Sequence, residues 1–356
     1  MKMKKLLALV ASLLLFTCSA QAADWNFYGV AKLDTFYMDM DYKGSSHDTS
    51  KLSLDTPTTT LLGARVKASD NVSGWFEYGT AGGNASVRVL WATYNFGAGQ
   101  LGVGQMYTPL NLFYSKQTFS NDLNMLSFGG VYGGRNPMVR LKFGGFQIAA
   151  VEPNSDLEDK TGNAVKESRM PAIEAKYTKR GKTWMAQVAA GYNTFEVTSG
   201  GNSFDVDSYM VAAGGSVNLG AFYLKGDAFV GQNVGNMVML YTSGSFRPDG
   251  TLEDDGLATL NAAGTQLVDR ENHGCLLVAG YKLNERVTLE AGWGYASNDE
   301  KGTQVEDDVE AYYAQARITL APGVTMTPEI GYIDFKQMED FEPEVTYYGA
   351  RFQIAF

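Results

Sequence analysis

Sixteen stretches of this chain alternate apolar and polar residues with a period of two, and no apolar run reaches the roughly 18 residues that a membrane-crossing helix needs. Two folds remain: a soluble all-β protein, or an antiparallel barrel that crosses the bilayer with strands. The stretch 344 to 356 is the clearest. Thr346, Tyr348, Ala350, Phe352, Ile354 and Phe356 share one face, while Tyr347, Gly349, Arg351 and Gln353 share the other. Lipid outside and water inside explain both faces, because a closed barrel satisfies every backbone group within the membrane.

The stretches run approximately 25 to 38, 58 to 68, 72 to 80, 85 to 96, 100 to 107, 137 to 143, 146 to 152, 170 to 179, 183 to 196, 205 to 219, 221 to 234, 272 to 283, 286 to 298, 307 to 320, 323 to 336 and 344 to 356. Short, turn-forming connections such as Ser69-Asp70-Asn71, Gly144-Gly145 and Asn284-Glu285 alternate with longer, acidic ones, chiefly 39 to 57, 153 to 169, 235 to 271 and 337 to 343. An even strand number with short inner turns and long outer loops is the outer-membrane pattern, with both termini on the periplasmic side. Pro328 lacks a ladder donor, so a bulge is expected there.

At the start of the chain, Lys2, Lys4 and Lys5 precede the apolar run Leu6 to Phe16, and Ala20-Gln21-Ala22 offers a small-residue cleavage site. Residues 1–22 are expected to be a secretory signal peptide and 23–356 the barrel domain. Lipid attachment at Cys18 is the rival, weakened by the poor lead-in Leu15-Phe16-Thr17. Removing the signal takes three of the 29 basic residues, leaving 26 against 39 acidic and a net charge of −13. That sign argues against nucleic acid as a partner. Maturation also leaves Cys275 alone, so no intrachain disulfide stabilises the fold.

Several motifs dissolve on inspection. Gly97-Ala-Gly99-Gln-Leu-Gly102 spells a nucleotide-binding pattern, but no helix follows and a hairpin turn accounts for it. Asp39-Met-Asp41-Tyr-Lys43-Gly44 imitates a calcium loop, yet carries lysine where an oxygen ligand belongs and Ser50 where the bidentate glutamate belongs. The runs Glu253-Asp254-Asp255 and Glu306-Asp307-Asp308 read as solvated faces, with cation bridging to lipopolysaccharide phosphates as the functional alternative. No cofactor or resident metal is expected. An outer-membrane hydrolase is the competing enzyme class, but the only histidines, His47 and His273, have no Ser or Asp constellation at recognisable spacing. A structural, adhesive or partner-sheathing barrel is the other alternative.

Thr60-Leu-Leu-Gly63-Ala-Arg65, Val87-Arg88-Val-Leu-Trp-Ala-Thr-Tyr94 and Leu101-Gly-Val-Gly104-Gln-Met-Tyr107 resemble the second, fourth and fifth strands of the general bacterial porins, the trimeric 16-stranded family. The stretch 108 to 136 then stands where that family folds a loop into the pore. Its Phe128-Gly129-Gly130 resembles the loop's tip motif, and Arg135-Asn-Pro-Met-Val-Arg140 the segment that returns to the wall. The resemblance implies a homotrimer in outer-membrane lipid and lipopolysaccharide. It also implies a water-filled channel for passive diffusion of small hydrophilic solutes and inorganic ions.

The alternation turns Lys32, Arg65, Lys67, Arg88, Arg140 and Lys142 inward and Leu62, Ala64, Val66, Val87, Val89, Val139 and Leu141 outward. A charge facing lipid at mid-bilayer costs about 2 to 4 kcal/mol, so these cations belong on the water side. The resemblance implies that Lys32, Arg65, Arg88 and Arg140 form the basic wall of the constriction. The loop side departs from the family. Beside the tip stand Ser127 and Val131, and Asp122 is the only acid between 108 and 136. A positive wall without its acidic counterpart predicts weak selectivity that leans toward anions, because outer-loop charges beyond the Debye length of about 8 Å are screened.

Overall fold

The computed structural model describes residues 23–42, 49–81, 84–242, 255–302, 307–336 and 343–356. The expected signal peptide with Cys18, His47, Glu253, Asp254 and Glu306 lies outside them, as does the middle of the short connection 81 to 84.

Sixteen staves form the wall: β1 Asp24–Tyr42, β2 Leu61–Lys67, β3 Val72–Ala81, β4 Asn84–Asn95, β5 Gln100–Tyr107, β6 Arg135–Phe143, β7 Phe146–Val151, β8 Ala172–Arg180, β9 Trp184–Ser199, β10 Asn202–Leu219, β11 Phe222–Gln232, β12 Arg270–Lys282, β13 Val287–Glu300, β14 Asp308–Ala321, β15 Val324–Phe335 and β16 Pro343–Ala355. Each pairs antiparallel with the next. β1 and β16 pair from Val30↔Ala355 to Tyr42↔Pro343, which closes the sheet and leaves no edge. Two short strands complete broken staves. Thr49–Asp55 pairs with the upper half of β1 while β2 pairs with its lower half, and Val165–Glu167 extends β8 along β9.

The outward side carries the lipid signature. Leu62, Leu90, Val103, Val139, Val188, Val211, Leu277 and Ile330 are exposed at alternate strand positions. Aromatic side chains mark both rims, with Tyr94, Phe96, Phe143, Phe146 and Trp184 at the end of the short turns and Tyr78, Tyr192, Tyr209 and Tyr348 toward the other. Such a belt all round a protein is an aggregation hazard in water and a solvation match in a bilayer. In a barrel this wide, side chains from the wall cannot fill the lumen. Residues 108–134 fill it instead, with Leu110, Leu112, Tyr114, Met125 and Phe128 buried inside the barrel.

Four expectations are corrected. The stretch 39 to 57 is not all loop, since its second half pairs with β1. The chain between β9 and β10 is a tight Gly200-Gly201 hairpin, both residues at positive φ (58° and 88°), which only glycine adopts without cost. At Pro328 there is no bulge. Pairing with β14 lapses opposite Ala316 and Arg317 and resumes in the same register at Ile318↔Met326, and the shift falls further on, between Thr319 and Ala321. Val89 points inward, because the register shift opposite Glu77 and Tyr78 places Arg88 and Val89 consecutively on the lumen side; Val89 is wholly buried there.

Candidate pore constriction

The inward loop is held by wall carboxylates that accept its backbone N–H groups. The Leu110 amide donates to Glu174 on β8 (3.0 Å), the Lys116 amide to Glu290 on β13 (2.9 Å), and the Thr118 and Phe119 amides to Glu329 on β15 (2.6 and 3.1 Å). Lysines do the converse. Lys176 donates to the Asn111 carbonyl (2.9 Å) and Lys225 to the Tyr114 carbonyl (3.3 Å). The loop has only a two-residue ladder, Asn111–Leu112 with Val131–Tyr132, and a short helical turn, Phe119–Asp122, so much of its backbone must be satisfied elsewhere, and inside this barrel the wall supplies partners. Charge-assisted bonds of this kind contribute about 1.5 to 3 kcal/mol each.

At the tip, Phe128 is fully buried, with its ring edge-on to Tyr241 and Phe335. Gly129 sits at φ +92° against the carbonyls of Cys275 and Tyr295, and Gly294 leaves the space that the Phe128 carbonyl occupies. The Phe-Gly-Gly motif is therefore a docking device. Glycine is needed where two backbones touch.

Between tip and start, Asp122 reaches the opposite side of the lumen. Lys32 Nζ donates to its carboxylate at 2.5 Å and to Thr59 Oγ1 at 3.0 Å. Arg351 on β16 contacts the same carboxylate through Nη1 and grips Asp34 with Nε (2.5 Å) and Nη2; it also donates to the Thr118 carbonyl (3.0 Å). Arg88 pairs with Glu77 at 3.7 Å and donates to the Thr58 carbonyl (3.1 Å) and Tyr107 Oη (3.3 Å). Arg135 donates to Tyr107 Oη (3.2 Å) and Tyr132 Oη (3.0 Å).

Two cavities of about 470 Å³ meet at this level, one facing the short-turn end and lined by Thr288, Arg317 and Gln353, the other facing the long-loop end and lined by Phe113, Arg135 and Tyr241. Thr59, Arg88, Tyr107, Asp122 and Asn124 line both. These five residues mark the ring at which the two vestibules adjoin.

Of the expected basic wall, Arg88 stands at this ring, and Lys32 lies just below it, bonded to its Asp122 and Thr59. Arg65 and Arg140 do neither. They lie nearer the short-turn end, their guanidiniums each 4.8 Å from an indole centroid, of Trp75 and Trp91 respectively. The reason is register: Arg65 pairs with Asn26 and Arg140 with Gly102, both close to the lower strand ends. Lys67 is an exposed partner of Asp70 (2.8 Å), and Lys142 is exposed at the same rim.

The sequence reading missed Arg351, although its inward face was legible from the alternation, and it missed Lys116, Glu290 and Arg317, which also line the lower vestibule. It treated Asp122 as standing alone against a positive wall. Asp122 is instead in contact with that wall. Lys32 and Arg351 are balanced by Asp122 and Asp34, and Arg88 by Glu77.

A closed transmembrane β-barrel whose lumen is narrowed by an inward loop between two aqueous vestibules defines a membrane channel. The family model for Gram-negative porins matches residues 8–338, and the chain belongs to that family: it is an outer-membrane porin through which small solutes diffuse passively. No curated protein matches the sequence. Among solved structures, the chain is similar to the outer-membrane channel DcaP of Acinetobacter baumannii (18% identity, TM-score 0.72, 95% of this chain and 99% of that one). It is also similar to the trimer form of OmpT from Vibrio cholerae (14% identity, TM-score 0.60, 94% and 100%) and to an anion-selective porin from Comamonas acidovorans (12% identity, TM-score 0.61, 94% and 100%).

Proposed function

We propose that this porin passes small hydrophilic solutes and inorganic ions with a weak preference for anions. The observation that carries the reading is the charge left over beside the ring. Lys32, Arg88 and Arg351 are paired with carboxylates, whereas the side chains of Lys116 and Arg317 are exposed in the lower vestibule and Arg135 lines the upper one with tyrosine hydroxyls as its partners. Glu290, the other acid of the lower vestibule, has Lys225 at 3.6 Å. A balanced ring flanked by cations that have no carboxylate partner among the described residues favours anions modestly, since fixed charges within a few ångströms of a narrow passage decide which ion regains its lost hydration. The anion selectivity of the similar Comamonas porin agrees with this.

Purified protein in planar bilayers tests it. Stepwise ohmic conductance with a reversal potential of anion sign in a KCl gradient is expected, and a plain cation preference at neutral pH refutes it. We further propose that the protein is a homotrimer, as the similar OmpT is in its trimer form. Three barrels per particle in native mass spectrometry is the expected reading. The N-terminal residues 1–22 act as a cleaved signal, which the N-terminus of the protein isolated from outer membranes reports. Contact of the acidic outer loops with lipopolysaccharide through divalent cations is read by co-purification with and without chelator.

A further inference from the structure

Below the ring, the inner faces of β1 to β6 border a separate cavity of about 610 Å³ whose lining includes Arg65, Trp75, Trp91, Met106 and Arg140, with Asp24 and Lys67 offsetting each other at its short-turn rim. Trp75 and Trp91 are direct cross-strand partners on β3 and β4, and their indoles lean apart, Trp75 toward β1 and Trp91 toward β5. Each is fixed. Trp75 Nε1–H donates to Tyr28 Oη at 2.5 Å, and Tyr28 donates to Glu77 Oε1 at 2.7 Å. Trp91 lies over Gly102, where any side chain would collide with the ring, and Gly102 is the cross-strand partner of Arg140. The missing side chain is what lets the indole reach the guanidinium.

Stacking holds each guanidinium by its face and leaves its N–H edge free. Among the described residues neither Arg65 nor Arg140 makes a hydrogen bond or an ion pair, whereas Glu174 and Lys176 beside Arg140 are engaged by the inward loop. Two planar forks with open donors, on a floor of indole and thioether, match one ligand chemistry. A carboxylate takes two parallel N–H donors from an arginine, and a flat or apolar body lies on the aromatic floor.

We propose that this cavity is a binding subsite for small organic anions, with a carboxylate received by the open edge of Arg65 or of Arg140, at either end of the cavity, and the apolar body resting on the indoles and Met106 between them. The inference goes beyond conduction, and it stands whether or not the ring prefers anions, because occupancy is measured without a membrane potential. Benzoate would be titrated into the folded protein in detergent at constant ionic strength, with tryptophan fluorescence as the signal and inorganic phosphate as the charge-only comparison. Saturable quenching by benzoate and none by phosphate is expected.

The double variant Arg65→Gln/Arg140→Gln should raise half-saturation about tenfold or more, the effect of losing charge-assisted hydrogen bonds. The pair Arg65→Lys/Arg140→Lys, which keeps the charge and loses the planar fork, should weaken binding too and serves if the glutamine pair does not fold. Arg169→Gln, an exposed change in an outer loop, should leave it as it was. Quenching that never saturates, an equal response to phosphate, or saturation unaltered in the arginine variants would overturn the proposal. Reversal potentials in KCl report the ring's selectivity separately, so either idea can fail alone.

Discussion

Arg351 on the last strand and Asp122 on the inward loop form an ion pair across the lumen, and Arg351 holds Asp34 of the first strand with the same guanidinium. One side chain thus fastens the loop to the seam where the barrel closes. It is almost fully buried, at 3% exposure, so its charge depends on these two carboxylates.

Arg351→Gln leaves Asp34 and Asp122 without their shared cation. Breaking a buried pair from one side costs about 3 to 5 kcal/mol. The expected outcome is a barrel that still inserts but unfolds at a lower temperature, with larger open-channel current fluctuations. Thermal melting followed by gel mobility checks the first, and single-channel recording the second. Unchanged melting would contradict the fastening role.

Asp122→Asn removes the acid that balances Lys32 and Arg351 at the ring. The reversal potential in a KCl gradient should move further toward anions. The paired change Lys116→Gln/Arg317→Gln should move it the other way, toward cations. A shift of the same sign in both would sink the charge-balance account.

Glu329→Ala deprives the Thr118 and Phe119 amides of their acceptor. Leaving buried donors unmade costs about 1 to 3 kcal/mol each. Faster hydrogen exchange at those two amides is expected, with β15 and β16 still protected. Gly129→Val has a related but larger effect. A β-branched residue at φ +92° is strained, and its Cβ would meet the Cys275 carbonyl. The loop tip should lose its seat and conductance should rise.

A pH effect is expected outside the membrane. The outer segment 234 to 242 lies on the inward loop, its Met239 and Tyr241 amides donating to the Tyr132 and Ser127 carbonyls (3.0 and 3.1 Å). Thr242 Oγ1 lies 2.8 Å from both Asp255 and Asp307. One hydroxyl carries one proton, so a carboxyl must supply the other. Burial, then the nearby Asp307, pushes Asp255 up to about 6 from the usual 3.8. An acid whose docked value is raised binds its proton more tightly docked than free. Docking is therefore firmest below about pH 4, weakens as pH rises through about 6 and is level above. Exchange rates of the Met239 and Tyr241 amides, corrected for intrinsic rates, should rise over that window, and Asp255→Asn should flatten the dependence. A flat profile in the parent would refute it.

Much of the fold was legible because each stave is a local pattern. Alternation in Thr346 to Phe356 needs only the neighbouring residues and the fact that one side meets lipid, and the strand ends 100 to 107 and 146 to 151 fall where turn residues stop the pattern. The charge signs on the inner faces followed from the same parity. Register did not. Whether Arg65 or Lys32 reaches the ring depends on how far each strand slides along its partner, and Arg65 opposite Asn26 lies too low. The inward turn of Val89 came from one extra residue in β4, which no alternation can announce. Nor could the sequence join Arg351 to Asp122, or Asp255 to Asp307, since those pairs exist only once the barrel has closed and the loops have folded into it. Parity is written along the chain, whereas charge compensation depends on distances that only closure sets.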